Sequence, residues 1–173
     1  NDRALFWRVD PGDVSGAMAT VYLMGSIHFA DKSFYPLRKE IEQAFESSDA
    51  LVVELDIDEG DRLAYSQLIA ERGVYRDGRT IRDAVSEETW QVLRNRLQQL
   101  NISYDAVKNY KPGVLVLTLS SLQVMSMGLD PELGIDAHFL AKVRHKTKTG
   151  QDKQLKKIIE LETLEQQVSL FLD

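Results

Sequence analysis

Short apolar runs separated by turn residues open the chain. Leu5-Phe6-Trp7-Arg8-Val9 reads as a strand, and Pro11-Gly12-Asp13 behind it supplies turn chemistry. A second strand, over roughly Thr20 to Met24, pairs with it as a hairpin with a long loop. Its apolar run continues through Gly25 and stops at His28. Pro36 falls where a first helical turn begins, and its missing N–H costs nothing there. Leu37, Ile41, Ala44 and Phe45 follow at helical spacing, so Pro36 to Ser47 reads as an amphipathic helix. Ser48-Asp49 breaks that helix, and Ala50-Leu51-Val52-Val53-Glu54-Leu55-Asp56 reads as a buried strand ending in carboxylates. Strand, crossover helix and strand together make a βαβ unit, which is right-handed in nearly all cases.

Helical spacing dominates the remainder. Gly60 to Arg72 predicts a helix ended by Gly73, with Gly78 in the loop beyond. Ser86 is the expected N-cap of a helix over Glu87 to Leu100, whose first turn is acidic. Pro112 opens another toward Gly128, although Val114 to Leu119 is β-prone. Asp136 to Lys146 reads as a helix and Lys157 to Leu161 as a third core strand. Thr163 then caps a last helix. The fold class expected is α/β, a mixed sheet with an N-terminal hairpin and a βαβ unit, and many helices. Leu164, Val168, Leu170, Phe171 and Leu172 form an apolar surface that nothing later in the sequence covers, so this helix either packs back or awaits more chain.

Composition narrows the function classes. A chain of 173 residues fits one domain, and 43% hydrophobic with 28% charged residues is ordinary for a soluble protein. A net charge of −6 argues against nucleic acid as a partner, because phosphate binding needs a basic face. The one basic stretch, Lys142 to Lys157, is interrupted by Thr149-Gly150-Gln151-Asp152 and reads as a solvated helix end and loop. No apolar run approaches the roughly 20 residues that span a bilayer. The absence of cysteine excludes disulfides, thiolate catalysis and Cys-ligated zinc. The chain begins at Asn1, which fits a cleaved leader and a trimmed chain equally.

The strand ends carry the candidate chemistry. If the strands ending at His28 and Asp56 lie parallel and adjacent, His28, Glu54 and Asp56 gather at the sheet edge where open α/β sheets bind ligands. An imidazole and two carboxylates there bind a metal or move protons. Gly25 permits a sharp turn or close approach before His28, and Asp31 is a possible partner for the ring. A hydrogen-bonded structural histidine is the alternative reading. Glu54 and Asp56 share one face of their strand. A charge inside an apolar strand is costly unless paired or bound, yet Asp56 with Asp58, Glu59 and Asp61 also reads as the entry to an acidic loop.

Gly134-Ile135-Asp136 opens a helix, with Asp136 as N-cap the simpler reading. His138 and His145 read as surface or packing residues, His-x6-His being a weak metal signal. Glu162 falls at the end of the third strand, its role open, beside a capping Thr163. Ser26 lacks the Gly-x-Ser-x-Gly elbow, and neither a phosphate loop nor His-Glu-x-x-His is present. The residues favour metal-assisted or general-base chemistry over covalent catalysis.

In order, Leu5–Val9, Tyr22–Ala30, Phe34-Tyr35-Pro36-Leu37, Glu42–Phe45, Asp49–Asp56, Gly128-Leu129-Asp130, Gly134-Ile135-Asp136 and Leu161-Glu162-Thr163-Leu164-Glu165-Gln166 resemble the TraB/GumN family. That family is related to the Tiki proteases and the pheromone-shutdown protein PrgY. The resemblance implies the α/β fold shared with erythromycin-esterase-like and haem-binding ChaN-like proteins. It also implies a metal-dependent peptidase using manganese or cobalt, with a bound water as nucleophile. The first Gly-x-x-His motif of the family maps onto Gly25 and His28, and its acidic strand-end position onto Glu54, as metal ligands or catalytic groups. Asp136 and Glu162 are expected in supporting positions. A removed signal peptide, and hence a periplasmic or secreted location, fits bacterial members, a cytoplasmic one staying open.

The sequence departs from the family pattern in one respect. A second Gly-x-x-His motif and an arginine-containing helix before it are missing, since Ile135 precedes His138 and Lys142 precedes His145 by three residues. The chain therefore reads as a single domain over residues 1–173 lacking its C-terminal portion, with one half of the site. The expected function is a metal-dependent hydrolase of peptide or protein substrates. The alternatives are a non-catalytic module that binds a peptide, pheromone or haem, and a half-site completed by another chain or a homodimer.

Overall fold

The computed structural model describes residues 5–12, 19–56, 59–149 and 156–172. The protein is of mixed α/β class and divides into two compact units. One comprises residues 1–53 and 125–159, the other 54–124 and 160–173.

In the first unit, strands β1 (Phe6–Val9) and β2 (Val21–Met24) pair antiparallel, Phe6 opposite Met24 and Val9 opposite Val21. This is the expected hairpin. Its inner face sends Phe6 and Met24 to the core. The opposite face carries the cross-strand pairs Trp7–Leu23 and Val9–Val21, all exposed. Helix α1 spans Lys39–Ser47, starting later than Pro36. The reason is backbone conformation: Tyr35 and Arg38 have non-helical ψ values of 146° and 142°. Leu37 still joins the core beneath α1.

Strand β3 (Ala50–Val53) follows, and it does not share a sheet with β2. The expected βαβ unit and single mixed sheet are thereby corrected. The chain leaving β2 is diverted at once, because Ala30 exchanges both backbone hydrogen bonds with Asp130 at 3.2 and 2.8 Å. β3 pairs instead with β4 (Lys157–Glu160) as a separate two-stranded parallel sheet, Lys157 N donating to Asp49 O at 3.1 Å. Nor are these strands fully buried as expected. Val53 is 8% exposed, but Val52 is 52% and Ile159 45%. A two-stranded sheet has two faces, and Leu51, Val53 and Ile158 find the inner one.

Helix α7 (Ile135–Thr149) completes this unit. Ile135, Phe139 and Val143 lie four apart on one face and meet Ile41 and Phe45 of α1. The Phe45 and Phe139 rings are 4.7 Å apart. The last turn of α1 is closed by Lys156 Nζ, which donates to the carbonyls of Phe45, at 2.8 Å, and Ser48.

The second unit is helical. α2 (Glu59–Arg72) precedes a short α3 (Ile81–Ala84), then α4 (Glu87–Gln99), α5 (Tyr104–Val107), α6 (from Pro112, running to Ser126) and α8 (Leu164–Leu172). Ser86 caps α4 as expected, accepting from Thr89 N at 3.1 Å. The Thr163 cap is also present, as a capping box with Gln166 at 3.2 and 2.7 Å. The β-prone start of α6 is helical because Pro112 presets its first turn and Leu115 and Leu119 fall on one helical face. They join a core of Ile81, Leu93, Leu97 and Val107. Thus burial overrides β-propensity.

The apolar surface of α8 does pack back. Val168 is 1% exposed and the helix lies against α2, while Leu170 stays 78% exposed. Gly113, in the first turn of α6, lets α8 approach that helix as well, since a Cβ there would overlap the Phe171 carbonyl. Gly113→Ala should therefore cost about 1–3 kcal/mol of stability through forced backbone displacement. Urea unfolding checks this, and an unchanged midpoint would show that the contact yields freely.

Candidate functional site

The chain leaves β2 through Gly25, whose N–H donates to Leu5 O at 2.8 Å. Ser26, Ile27 and His28 then pass across the start of α7. Ile135 N donates to Ile27 O at 3.0 Å, so the first turn of α7 finds a backbone partner in this loop. Gly134 faces His28 directly. A Cβ at Gly134 would stand 2.6 Å from His28 O and 2.9 Å from His28 C, inside any tolerable contact. Gly134 is buried at a φ of −58°, so its need for glycine comes from close approach and not from backbone strain.

This approach sets His28 against Asp136, in the first turn of α7. His28 Nδ1 lies 3.1 Å from Asp136 Oδ2, and Ser26 Oγ donates to Asp136 Oδ1 at 3.1 Å. Asp136 is thus not the N-cap the sequence leads one to expect. That place belongs to Gly134, whose carbonyl accepts from His138 N at 2.9 Å. The carboxylate instead spans the loop, at the helix end where negative charge is favoured. The expected partner Asp31 is occupied elsewhere. It caps the short 3-10 helix Lys32–Phe34, accepting from Ser33 N at 2.6 Å, and the hydrogen bonds from Ser33 hold its carboxyl below the usual range.

The side chain of His28 is 65% exposed and that of Asp136 27%. Chemically the pair is a carboxylate–imidazole dyad. With Asp136 accepting from Nδ1–H, the ring's lone pair is at Nε2. Such a ring can take up a proton or serve as one metal ligand with its carboxylate support.

A second group of side chains adjoins the same turn. The Tyr35 hydroxyl donates to Leu133 O at 2.7 Å, and its ring lies 4.8 Å from that of His138. Burial, and then the charges of Asp136 and Glu42, push the Tyr35 hydroxyl above its ordinary pKa. His138 Nε2 is 3.3 Å from Glu42 Oε1, and Lys142 pairs with the other oxygen. His138 is accordingly a paired, half-buried residue. Sequence spacing gives no sign of its partner, because Glu42 lies on α1.

Glu54 and Glu162 meet in the second unit, just past the ends of β3 and β4. Glu162 N donates to Glu54 O at 3.0 Å, and the Glu54 carboxylate accepts from Gln167 Nε2 at 2.7 Å. Asp56 N donates to Glu160 Oε1 at 2.9 Å. The shared edge expected for His28, Glu54 and Asp56 required β2 and β3 in one sheet, which does not form. Among the described residues, no three His, Asp or Glu side chains group as a metal-holding set.

The family model described as the TraB/PrgY/gumN family matches residues 5–173. No curated protein and no solved structure matches the chain.

Gly134→Ala is expected to lower stability by about 1–3 kcal/mol. It should also move the His28 ring resonances toward those seen in Asp136→Asn, because the loop is pushed off α7. Unfolding and proton NMR read the two effects. Unshifted His28 signals would mean that Gly134 does not hold the dyad together.

Proposed function

Since the chain belongs to the TraB/PrgY/gumN family, we propose that it is a hydrolase of peptide bonds in which His28 moves the proton and Asp136 orients it. The observation that carries this reading is the 3.1 Å approach of Nδ1 to the carboxylate on an accessible ring. The erythromycin-esterase/ChaN-like architecture belongs to the same proposal, as a finer statement than mixed α/β.

The chemistry follows from the dyad. Asp136 fixes the tautomer with the lone pair on Nε2. Nε2 takes a proton from water as the water oxygen bonds to the peptide carbonyl carbon. The imidazolium so formed is stabilised by Asp136, and it returns the proton to the departing amine as the C–N bond breaks. Ser26 donates to the same carboxylate, which holds Asp136 in place and engages the hydroxyl as a donor.

The metal dependence implied by the resemblance meets an incomplete donor set among the described residues, one imidazole with its carboxylate partner. No step is therefore routed through a metal. Glu54, the acidic strand-end position of the resemblance, stays in the proposal with Glu162 beside it.

Release of new amino termini from a peptide library tests the reading. His28→Ala should slow hydrolysis by about 10²–10⁴, the range for a positioned base, and Asp136→Asn should slow it with the fold intact. Hydrolysis by His28→Ala at the native rate would end the proposal. For Glu54→Gln, slower hydrolysis at an unchanged unfolding midpoint assigns Glu54 to the reaction. A lower midpoint alone assigns it to the Gln167 hydrogen bond.

A further inference from the structure

We propose that the cavity lined by Tyr35, Pro36, Leu133 and His138 receives one bulky apolar side chain of the peptide, an aromatic ring or the stem of Leu or Met. That the peptide is a substrate rests on the hydrolase reading; its binding does not. The cavity has a volume of about 370 Å³. Ligand pockets begin at roughly 300 Å³, and an apolar cavity of about 150 Å³ already holds benzene. One ring fits with room for its stem.

The lining decides the chemistry. Tyr35, Pro36, Leu133 and His138 supply ring faces and aliphatic surface. The polar side chains around the two rings have partners: the Tyr35 hydroxyl with Leu133 O, His138 with Glu42, and Glu42 with Lys142. A charged or amide side chain entering here would compete with bonds already made and lose its hydration. A hydrocarbon side chain loses no hydrogen bond and gains contact with the paired rings of Tyr35 and His138. The charges of Lys32 and Glu132 belong to exposed residues of the lining, opposite in sign, so they give no net preference for a charged guest.

Position ties the cavity to the dyad. Leu133 and His138 flank the segment Gly134–Asp136. The Tyr35 hydroxyl is bonded at Leu133 O and within 3.4 Å of Gly134 O, while Gly134 abuts the His28 carbonyl. Recognition and proton transfer would thus be built on one turn of chain. A side chain seated here belongs to a residue close to the bond cleaved.

Three histidines make the test direct. The ring protons of His138, assigned through substitutions of His28 and His145, are followed by NMR in the full chain. The probes are N-acetyl-phenylalaninamide and N-acetyl-alaninamide. The phenylalanine amide should bind about tenfold more tightly or better, as burial of a ring implies, and shift His138. Leu133→Trp, which fills the cavity, should abolish that shift. Equal response to both amides in the unsubstituted protein overturns the proposal without reliance on any variant, as does a shift that survives Leu133→Trp. His28→Ala should leave this binding in place. Loss of hydrolysis in His28→Ala with binding retained supports both readings, whereas binding with no hydrolysis by the native protein removes only the hydrolase.

Discussion

The first unit depends on a backbone contact that only glycine permits. Gly134 lies so close to the His28 carbonyl that no side chain fits between them. Around that point the chain is fastened by Ile135 N to Ile27 O, by the two-way bridge of Ala30 and Asp130, and by Tyr35 to Leu133 O. Each such bond is worth only about 1 kcal/mol net. Together they fix a loop against a helix end more than a hundred residues away in sequence, and they do so through the main chain. Side chains on either side of the contact then inherit their geometry: His28 and Asp136 on one side, Tyr35 and His138 on the other.

This arrangement explains what was legible in the sequence and what was not. Local signals survive. Ser86 and Thr163 cap helices as their spacing predicts, the hairpin pairs in register, and Gly73 follows the last residue of α2. Each depends on residues within a few positions, or on a burial stripe repeated along one element. The partner of His28 is different. Asp31, three residues on, is the local candidate, but Asp136 takes the role from another element. Nothing in the periodicity around His28 specifies Asp136. Gly134-Ile135-Asp136 marks a helix start, and that part was legible, though the same signal misassigns the cap.

The sheet illustrates the same limit at larger scale. The apolar runs read as strands over Thr20–Met24 and Ala50–Asp56 do form them, over Val21–Met24 and the shorter Ala50–Val53, but a run does not say which strand it pairs with. A helix between two strands favours a βαβ closure, and the right-handed rule applies only once the strands share a sheet. Here Ala30, after β2, forms its backbone bonds with Asp130. β3 finds its parallel neighbour only in β4, across the whole helical segment. Burial follows pairing. With two strands per sheet, one face has no layer of the same unit against it among the described residues, and Trp7, Leu23, Val52 and Ile159 remain exposed although their residue types read as core.

Exposure also separates what stabilises this protein from what equips it chemically. A side-chain pair with one partner 65% exposed contributes little to stability, about 0–1 kcal/mol even for charged surface pairs. The His28–Asp136 pair therefore cannot be what holds the loop on α7. The cause runs the other way: close backbone packing at Gly134 and the core beneath α7 place the two side chains, and their mutual attraction is a small consequence. The more buried Glu42–His138–Lys142 group, whose members are all under a third exposed, is bound more closely into the packing of α1 on α7. Of the two imidazoles, His28 is the more exposed, and His138 is packed beside the rings of Tyr35 and Phe139.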